Sequence, residues 1–239
     1  MALRFLLSCL GLLAFAPVSG AQTSGEILKL SNGTELRFGL AAPKAIGKNQ
    51  PVPLVIALHF GYSGTRPSPG YGQEFLALLV EPALRKLEAV MAAPDCPDRN
   101  WTSEKSEQAV MELIAHLESR FPVDRSKVVV TGFSLGGFGT WYMAARHPEV
   151  FCAAIPVAGR PQPELIDRID RLSLFVIHSR KDTVVPIGPT EAAVAALKKR
   201  RVPVEFLVIA GLSHYETPAY VEYLARAVPW LKRLWEKRP

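Results

Sequence analysis

The sequence predicts an α/β fold in which an eight-stranded, mostly parallel sheet carries helices on both faces, with no large lid. Three observations lead to this prediction. Strands that are apolar on both faces alternate with helices along most of the chain, an order typical of a covered parallel sheet. An Asn-Gly pair near the start indicates an antiparallel hairpin. Polar and glycine-rich segments follow the apolar runs, as expected where loops at carboxyl strand ends carry function.

The elements can be placed in order from these patterns. The hairpin joins strands 26–30 and 35–40 across Ser31-Asn32-Gly33-Thr34. Six further strands are predicted at 53–59, 89–93, 127–131, 152–157, 172–178 and 204–209. Helices are predicted at 74–87, 103–121, 135–146, 190–200 and 219–237. The length of 239 residues suffices for one domain with a substantial core.

Residues 1–21 have the composition of a secretory signal peptide. Arg4 supplies a positive charge, residues 5–15 form an apolar core, and Ser19-Gly20-Ala21 is a cleavage site of small residues. The apolar run is too short to span a bilayer, and no other stretch of the sequence resembles a membrane span. We therefore expect cleavage after Ala21, a single domain over residues 22–239, and a secreted or periplasmic protein.

The distribution of charge and the positions of the cysteines bear on nucleic-acid binding and on disulfide formation. The net charge is +6, and the densest run of positive residues is Lys198-Lys199-Arg200-Arg201. This run is expected at the C-terminus of a helix, where cations interact favourably with the helix dipole. Aromatic residues are not interleaved with it, which disfavours nucleic-acid binding. Cys96 and Cys152 are predicted at opposite ends of parallel strands, about 15–20 Å apart. That separation is too large for a disulfide, so two separate buried thiols are expected.

Residues Gly132-Phe133-Ser134-Leu135-Gly136 form a G-x-S-x-G pentapeptide between a predicted strand and a predicted helix. A nucleophilic serine at that point needs a sharp turn, and the flanking glycines relieve its crowding. The N–H of Leu135, at the start of the helix, can then donate to an oxyanion. A phosphate-binding loop is disfavoured because its glycine-lysine pattern is missing. A serine in an ordinary glycine turn is the remaining alternative.

A serine nucleophile needs a base, and the base needs an orienting acid, in the chain order Ser, acid, His. Asp182 and His214 each follow a predicted strand, so both can lie near Ser134 at the carboxyl edge of the sheet. The other downstream candidates are expected in a solvated helical segment, at a helix end or inside a strand: Asp167 and Asp170, His147, and His178. The predicted triad is therefore Ser134, Asp182 and His214.

The loop after the first long strand is expected to supply a second oxyanion donor. The favoured group is the backbone N–H of Gly61, or failing that of Phe60 or Tyr62. His59 is a possible second base, but its place at the strand end favours a structural role, bonding the loop backbone. The side chains of Phe60, Tyr62 and Trp101 are the candidates for lining a substrate pocket, with simple packing as the alternative for these aromatic residues.

With these motifs the chain resembles the α/β-hydrolase superfamily, and most closely exported esterases and "predicted peptidases" related to phospholipase/carboxylesterase and polyhydroxybutyrate-depolymerase-like proteins. The resemblance implies the eight-stranded fold, the triad above and ester hydrolysis, with no metal or organic cofactor. Phe60 and Ser179 depart from the family, which usually has glycine after each of the preceding histidines. The matching segments cover nearly the whole mature chain: 58–61, 93–97 with Trp101, 123–127, 132–141, His178 with Asp182, 185–186, and Gly211 with His214.

These observations favour a serine carboxylesterase acting on small or soluble carboxylic esters, with feruloyl or acetyl groups linked to polysaccharide as one version. A serine peptidase is the second enzymatic hypothesis, and it would need a subsite for a peptide chain. A non-catalytic binding protein with the same fold is the rival hypothesis. The presence of all three triad residues argues against it.

Overall fold

One sheet of eight strands runs through the molecule. The computed structural model describes residues 23–47, 50–64 and 67–237, so the predicted signal peptide lies outside the described residues. The strand order is β1-β2-β4-β3-β5-β6-β7-β8, antiparallel between β1, β2 and β4 and parallel elsewhere. This confirms the predicted sheet. The strands are β1 Ser24–Lys29, β2 Glu35–Ala41, β3 Val52–Leu58, β4 Val90–Pro94, β5 Val123–Phe133, β6 Ala153–Val157, β7 Ser173–Ser179 and β8 Val204–Ile209.

Helices cover both faces of this sheet. Side chains alternate along β3, so Leu54 and Ile56 join one apolar core while Val55 and Ala57 join the other. Helices α3 to α5 pack on the first core, and α1, α2, α6 and α7 pack on the second. Their bounds are α1 Tyr71–Phe75, α2 Glu81–Leu84, α3 Glu104–Arg120, α4 Leu135–Arg146, α5 Gly188–Lys199, α6 Val221–Leu224 and α7 Ala227–Glu236, with a π-helical stretch Leu76–Val80 between α1 and α2.

The first helical stretch begins at Tyr71, earlier than predicted. The carboxylate of Asp95, just past β4, accepts hydrogen bonds from the N–H groups of Gly70 at 2.8 Å and Gly72 at 2.7 Å. These are donors that a helix start leaves without intrahelical partners. The carboxylate therefore stabilises a helix start that the apolar periodicity of the segment does not reveal.

The single C-terminal helix predicted over 219–237 is wrong. The chain forms a 3₁₀ turn, Thr217–Tyr220, followed by two short helices, α6 and α7. Pro229 lies in the first turn of α7, where it has no N–H to donate and its ring would crowd the carbonyl of Ala225 in a continuous helix. The break follows from this proline.

Two cysteines were expected to remain apart, and the structure agrees. Cys96 and Cys152 are both buried, and no disulfide joins them. Cys96 lies past the carboxyl end of β4, whereas Cys152 lies just before the amino end of β6. The two thiols are therefore too far apart for a disulfide.

A buried carboxylate links α3 to α4, the helix that begins beside Ser134. Glu107 accepts hydrogen bonds from the hydroxyl of Tyr142 at 2.7 Å and from Nε of Arg146 at 2.9 Å. Nε2 of His147, which caps the C-terminus of α4, lies 2.7 Å from the same carboxylate. Burial by itself raises the pKa of Glu107, but the three hydrogen-bond partners outweigh it and hold the pKa below its usual value.

Replacing Glu107 with glutamine is expected to lower the free energy of unfolding by about 1–3 kcal/mol at neutral pH, because the amide removes the charge and one acceptor. The folded-state pKa of Glu107 is depressed, so its stabilisation is present above the unfolded-state pKa and is lost as the pH falls through the folded-state pKa. Urea unfolding at neutral and acidic pH should therefore show a gap that narrows in acid. The exposed Glu104→Gln change in the same helix is the control, and a similar loss in both variants contradicts the prediction.

Candidate active site

Ser134 lies in a sharp turn between β5 and α4. Its backbone has φ 54° and ψ −113°, a conformation that costs energy in a residue with a side chain. A Cβ atom at Gly136 would come within 1.8 Å of the carbonyl oxygen of Leu58, and one at Gly132 within 2.4 Å of the oxygen of Gly136. Only glycine fits these two positions, so the spacing of the pentapeptide is a steric requirement of the turn.

The structure brings the three predicted triad residues together. Nε2 of His214 lies 2.8 Å from Oγ of Ser134, and Nδ1 lies 2.7 Å from Oδ2 of Asp182. Oδ1 of Asp182 accepts hydrogen bonds from the backbone N–H groups of Val184 at 3.0 Å and Val185 at 2.8 Å. Because an ionised carboxylate can only accept, Nδ1 of His214 carries the proton, and Nε2 accepts from the serine hydroxyl.

The other candidate acids and histidines do not bond to Ser134 or His214 in the part of the chain that the structure describes. Asp167 and Asp170 are exposed in and just after a 3₁₀ turn, Pro163–Arg168. His178 is buried in β7 as predicted, with Nε2 donating to the carbonyl of Val185 at 2.8 Å. Sequence analysis missed that the same nitrogen lies 3.6 Å from Oδ2 of Asp182. Burial lowers the pKa of His178, so this neighbour of the acid is a neutral ring.

His59, at the end of β3, bonds the backbone on both sides of its ring. Its Nδ1 lies 2.7 Å from the carbonyl oxygen of Phe60 and must donate to it. Its Nε2 accepts the backbone N–H of Cys96 at 3.0 Å. Both ring nitrogens are therefore used in a neutral ring, and His59 has the structural place that was expected rather than that of a second base.

The buried His59 predicts a specific pH dependence of stability. Burial lowers its pKa from 6.5 to about 4, although the hydrogen bond to Phe60 acts in the opposite direction. The unfolded chain therefore binds this proton first, so the contribution of His59 is complete above about pH 6.5 and is lost as the pH falls towards 4. Urea unfolding between these values should show a shallower pH slope for His59→Gln than for the wild type. Identical slopes would contradict this expectation.

The loop after β3 is held in place by two side-chain donors, of which Trp101 is buried. Nε1 of Trp101 donates to the carbonyl of His59 at 2.9 Å, and the hydroxyl of Tyr71 donates to the carbonyl of Gly61 at 3.0 Å. These two bonds occupy carbonyl groups of the loop, and neither of them uses a loop N–H. On the other side of Ser134, Leu135 is the first residue of α4, so its N–H has no acceptor within the helix.

The three aromatic side chains expected to line a pocket have different surroundings. Trp101 is fully buried and presents no surface to a ligand, so the pocket expectation is replaced by its support of the β3 loop. The ring of Phe60 is partly buried and packs edge to face on Phe75, with centroids 5.6 Å apart. The hydroxyl of Tyr62 donates to the carbonyl of Asp98.

Tyr215 was not singled out by sequence analysis. Its side chain is 80% exposed, and its ring lies edge-on to that of His214, with centroids 5.9 Å apart. Its place directly after His214 is the sequence signal that could have drawn attention to it. Tyr215 therefore presents an aromatic surface at the edge of the site.

Among residues 23–47, 50–64 and 67–237, no helix has both the length and the apolar content needed to cross a bilayer. In that same part of the chain, no group of three or more His, Cys, Asp or Glu side chains is arranged to hold a metal ion.

Comparison with protein families connects this geometry to a known group. A family model described as the dienelactone hydrolase family matches residues 88–227, which is more than half of the chain and includes Ser134, Asp182 and His214. The chain belongs to the dienelactone hydrolase family. Membership in this family confirms the resemblance to α/β-hydrolases.

Individual relatives match this chain over only part of their length. Poly(3-hydroxyalkanoate) depolymerase C of Paucimonas lemoignei is 40% identical over 53 residues, which cover 22% of this chain and 13% of that protein. Feruloyl esterase B of Neurospora crassa is 26% identical over 136 residues, covering 54% of this chain and 46% of that protein. The chain thus spans less than half the length of these two relatives. A solved thermostable esterase is similar with a TM-score of 0.75 at 25% identity, over 88% of this chain and 62% of that one.

Proposed function

We propose that this protein is a serine carboxylesterase that hydrolyses small or soluble carboxylic esters through an acyl-enzyme on Ser134. The observation that carries the proposal is the chain of hydrogen bonds from Ser134 through His214 to Asp182, with lengths of 2.8 and 2.7 Å. Nucleophile, base and orienting acid are within the reach that serine catalysis needs. Family membership and the esterases among the relatives support the same reaction class.

In the first half of the reaction, Oγ of Ser134 attacks the ester carbonyl carbon while Nε2 of His214 takes the hydroxyl proton. Asp182 stabilises the imidazolium that forms, since it already accepts from Nδ1. The N–H groups of Leu135 and Gly61 bind the negative oxygen of the tetrahedral intermediate. The carbon–oxygen bond to the alcohol then breaks, and His214 returns its proton to the departing alkoxide.

In the second half, water attacks the acyl-enzyme. His214 accepts the water proton, the same two N–H groups bind the oxyanion, and the bond between the acyl carbon and Oγ breaks. His214 then protonates Ser134, and the carboxylic acid leaves. The strained turn keeps Oγ above the end of the sheet throughout, because Ser134 lies between β5 and the N-terminus of α4.

The substrate class is proposed from the surroundings of the site. The exposed ring of Tyr215 beside His214 offers a face for an aryl group or a sugar ring. The similarity to a feruloyl esterase supports the same group of esters. Feruloyl or acetyl esters of polysaccharide are therefore included with small soluble esters in the proposal.

We also propose that the protein acts outside the cytoplasm. The charge of Arg4, the apolar residues 5–15 and the small residues before Gln22 support cleavage of a signal peptide after Ala21. Amino-terminal sequencing of the protein recovered from an exporting host tests this, with Gln22 expected as the first residue.

Labelling by a fluorophosphonate probe tests the proposed nucleophile. The wild type should be labelled on Ser134, Ser134→Ala should not, and the exposed-serine control Ser126→Ala should be labelled like the wild type. A panel of p-nitrophenyl esters of increasing chain length, methyl ferulate and a peptide anilide then tests the substrate class. Labelling that survives in Ser134→Ala overturns the assignment. Folded wild type that resists labelling favours a binding protein, and cleavage of the anilide alone favours a peptidase.

A further inference from the structure

We propose that Ser179 is a positioning residue that ties the loop carrying Asp182 to the loop carrying His214. The inference rests on the proposed function, because the position of His214 matters through its role towards Ser134. The observation that carries it is a hydrogen bond from Oγ of Ser179 to the backbone carbonyl of Leu212, two residues before the histidine.

This hydrogen bond lies at the end of the sheet, because Ser179 is the last residue of β7. The ladder between β7 and β8 ends at the pair Ser179 and Ile209, with one more backbone bond from Arg180 N–H to the carbonyl of Ile209 at 2.8 Å. Beyond that point the segment after β7 turns into the loop that carries Asp182. The segment after β8 continues through residues 210–213 to His214. The serine hydroxyl therefore joins two loops where the backbone ladder no longer does.

The hydroxyl of Ser179 both donates and accepts a hydrogen bond. It accepts the backbone N–H of Lys181 at 3.2 Å while it donates to the carbonyl of Leu212. A backbone N–H can only donate and a carbonyl can only accept, so the direction of both bonds is settled. Ser179 is 0% exposed and Leu212 is partly buried, so water can replace the lost donor less readily than at an exposed site. The link is therefore worth more than a similar bond at the surface.

The loop that carries His214, residues 210–220, has few other hydrogen bonds to the rest of the described chain. In the part of the chain that the structure describes, the backbone of Ser213 bonds only within residues 213–220, while the hydroxyl of Tyr220 also bonds to the side chain of Ser179. The N–H of Ser213 donates to the carboxylate of Glu216 at 2.6 Å, and the hydroxyl of Tyr220 is 3.5 Å from the carbonyl of Ser213. A Cβ at Gly211 would meet nothing within 4 Å, so packing does not restrain that residue. Ser179 supplies the bond from this loop back to the sheet.

Losing the link should change chemistry more than substrate binding. His214 must keep Nε2 at hydrogen-bonding distance from Ser134, now 2.8 Å, and misplacement of a catalytic group by about 1 Å can cost about 100-fold in rate. Ser179 stands where the resembled family usually has glycine, which has no hydroxyl to donate. The serine therefore gives this chain a restraint that a glycine would not provide.

The test compares Ser179→Ala and Ser179→Gly with a matched control on the same strand. Ser173→Ala removes another buried serine hydroxyl at the opposite end of β7. With p-nitrophenyl acetate, kcat of both Ser179 variants should fall by about 10- to 100-fold while KM stays within about twofold. The rate of fluorophosphonate labelling should fall in parallel, and the final stoichiometry should remain that of the wild type. Ser173→Ala should keep wild-type rates.

Several results would overturn the inference. A purely structural role for Ser179 would lower the labelled fraction and the melting temperature but leave the rate per labelled site unchanged. An equal loss of kcat in Ser173→Ala would attribute the effect to strand packing. Ser134→Ala separates this inference from the proposed function: if it is still labelled, the proposed function fails. If it is unlabelled while both Ser179 variants react at the wild-type rate, only the positioning role fails.

Discussion

Replacing Ser134 with alanine is expected to lower kcat for p-nitrophenyl acetate by about 10⁶-fold, with little change in KM. The alanine variant removes the only atom of residue 134 that can attack the ester, Oγ, which lies 2.8 Å from Nε2 of His214. The N–H groups that bind the oxyanion remain in place, so some rate above that of water should survive. Steady-state kinetics on purified protein with a matched melting temperature measures the effect.

The control for this variant is Ser126→Ala. Ser126 is exposed at the start of β5 and bonds to Asp124, so it carries the same chemical change on the same strand without contact with the site. Its kcat should equal that of the wild type. Activity of Ser134→Ala within tenfold of the wild type would require a different nucleophile.

Replacing Asp182 with asparagine should lower kcat by about 10⁴-fold near neutral pH, again with a small effect on KM. Oδ1 of Asp182 accepts two backbone N–H groups, those of Val184 and Val185. The oxygen of an asparagine amide would keep that position and turn its NH₂ group towards His214. Nδ1 would then have to accept, Nε2 would carry the proton, and the ring could not take a proton from Ser134.

Asp170→Asn is the matched control, because Asp170 is exposed and belongs to the other acidic segment considered from the sequence. It should leave kcat and the melting temperature near wild-type values. If Asp182→Asn keeps the wild-type kcat and Asp170→Asn loses activity, Asp170 and not Asp182 is the orienting acid. The dependence of kcat on pH in both variants is a second measurement of whether the tautomer of His214 has changed.

Much of the geometry of the site follows from local sequence patterns. The pentapeptide around Ser134 requires a strained turn that only glycine neighbours permit, and the structure shows the contacts that exclude a Cβ at Gly132 and Gly136. Asp182 and His214 were placed by the rule that loops at the carboxyl ends of parallel strands meet at one edge. Runs of five to seven residues suffice to locate such strands, so the sequence alone predicts that these three residues lie near one another.

The break between α6 and α7 is a different kind of result. Pro229 was visible in the sequence, and its missing N–H and its ring oppose a continuous helix. The prediction of one helix over 219–237 gave more weight to the apolar residues of the segment than to the proline. The break is therefore a feature that the local sequence encodes.

By itself the sequence determined the order of the eight strands along the chain, the strained turn at Ser134 and the places of Asp182 and His214, because each depends on residues within a few positions of one another. Only the tertiary structure decided that Trp101 supports the loop after β3 and that His178 lies beside Asp182. It also showed that Ser179 bonds to Leu212, 33 residues along the chain. These contacts depend on how separate strands and loops pack, and the side chains involved have no local pattern that reveals their partners.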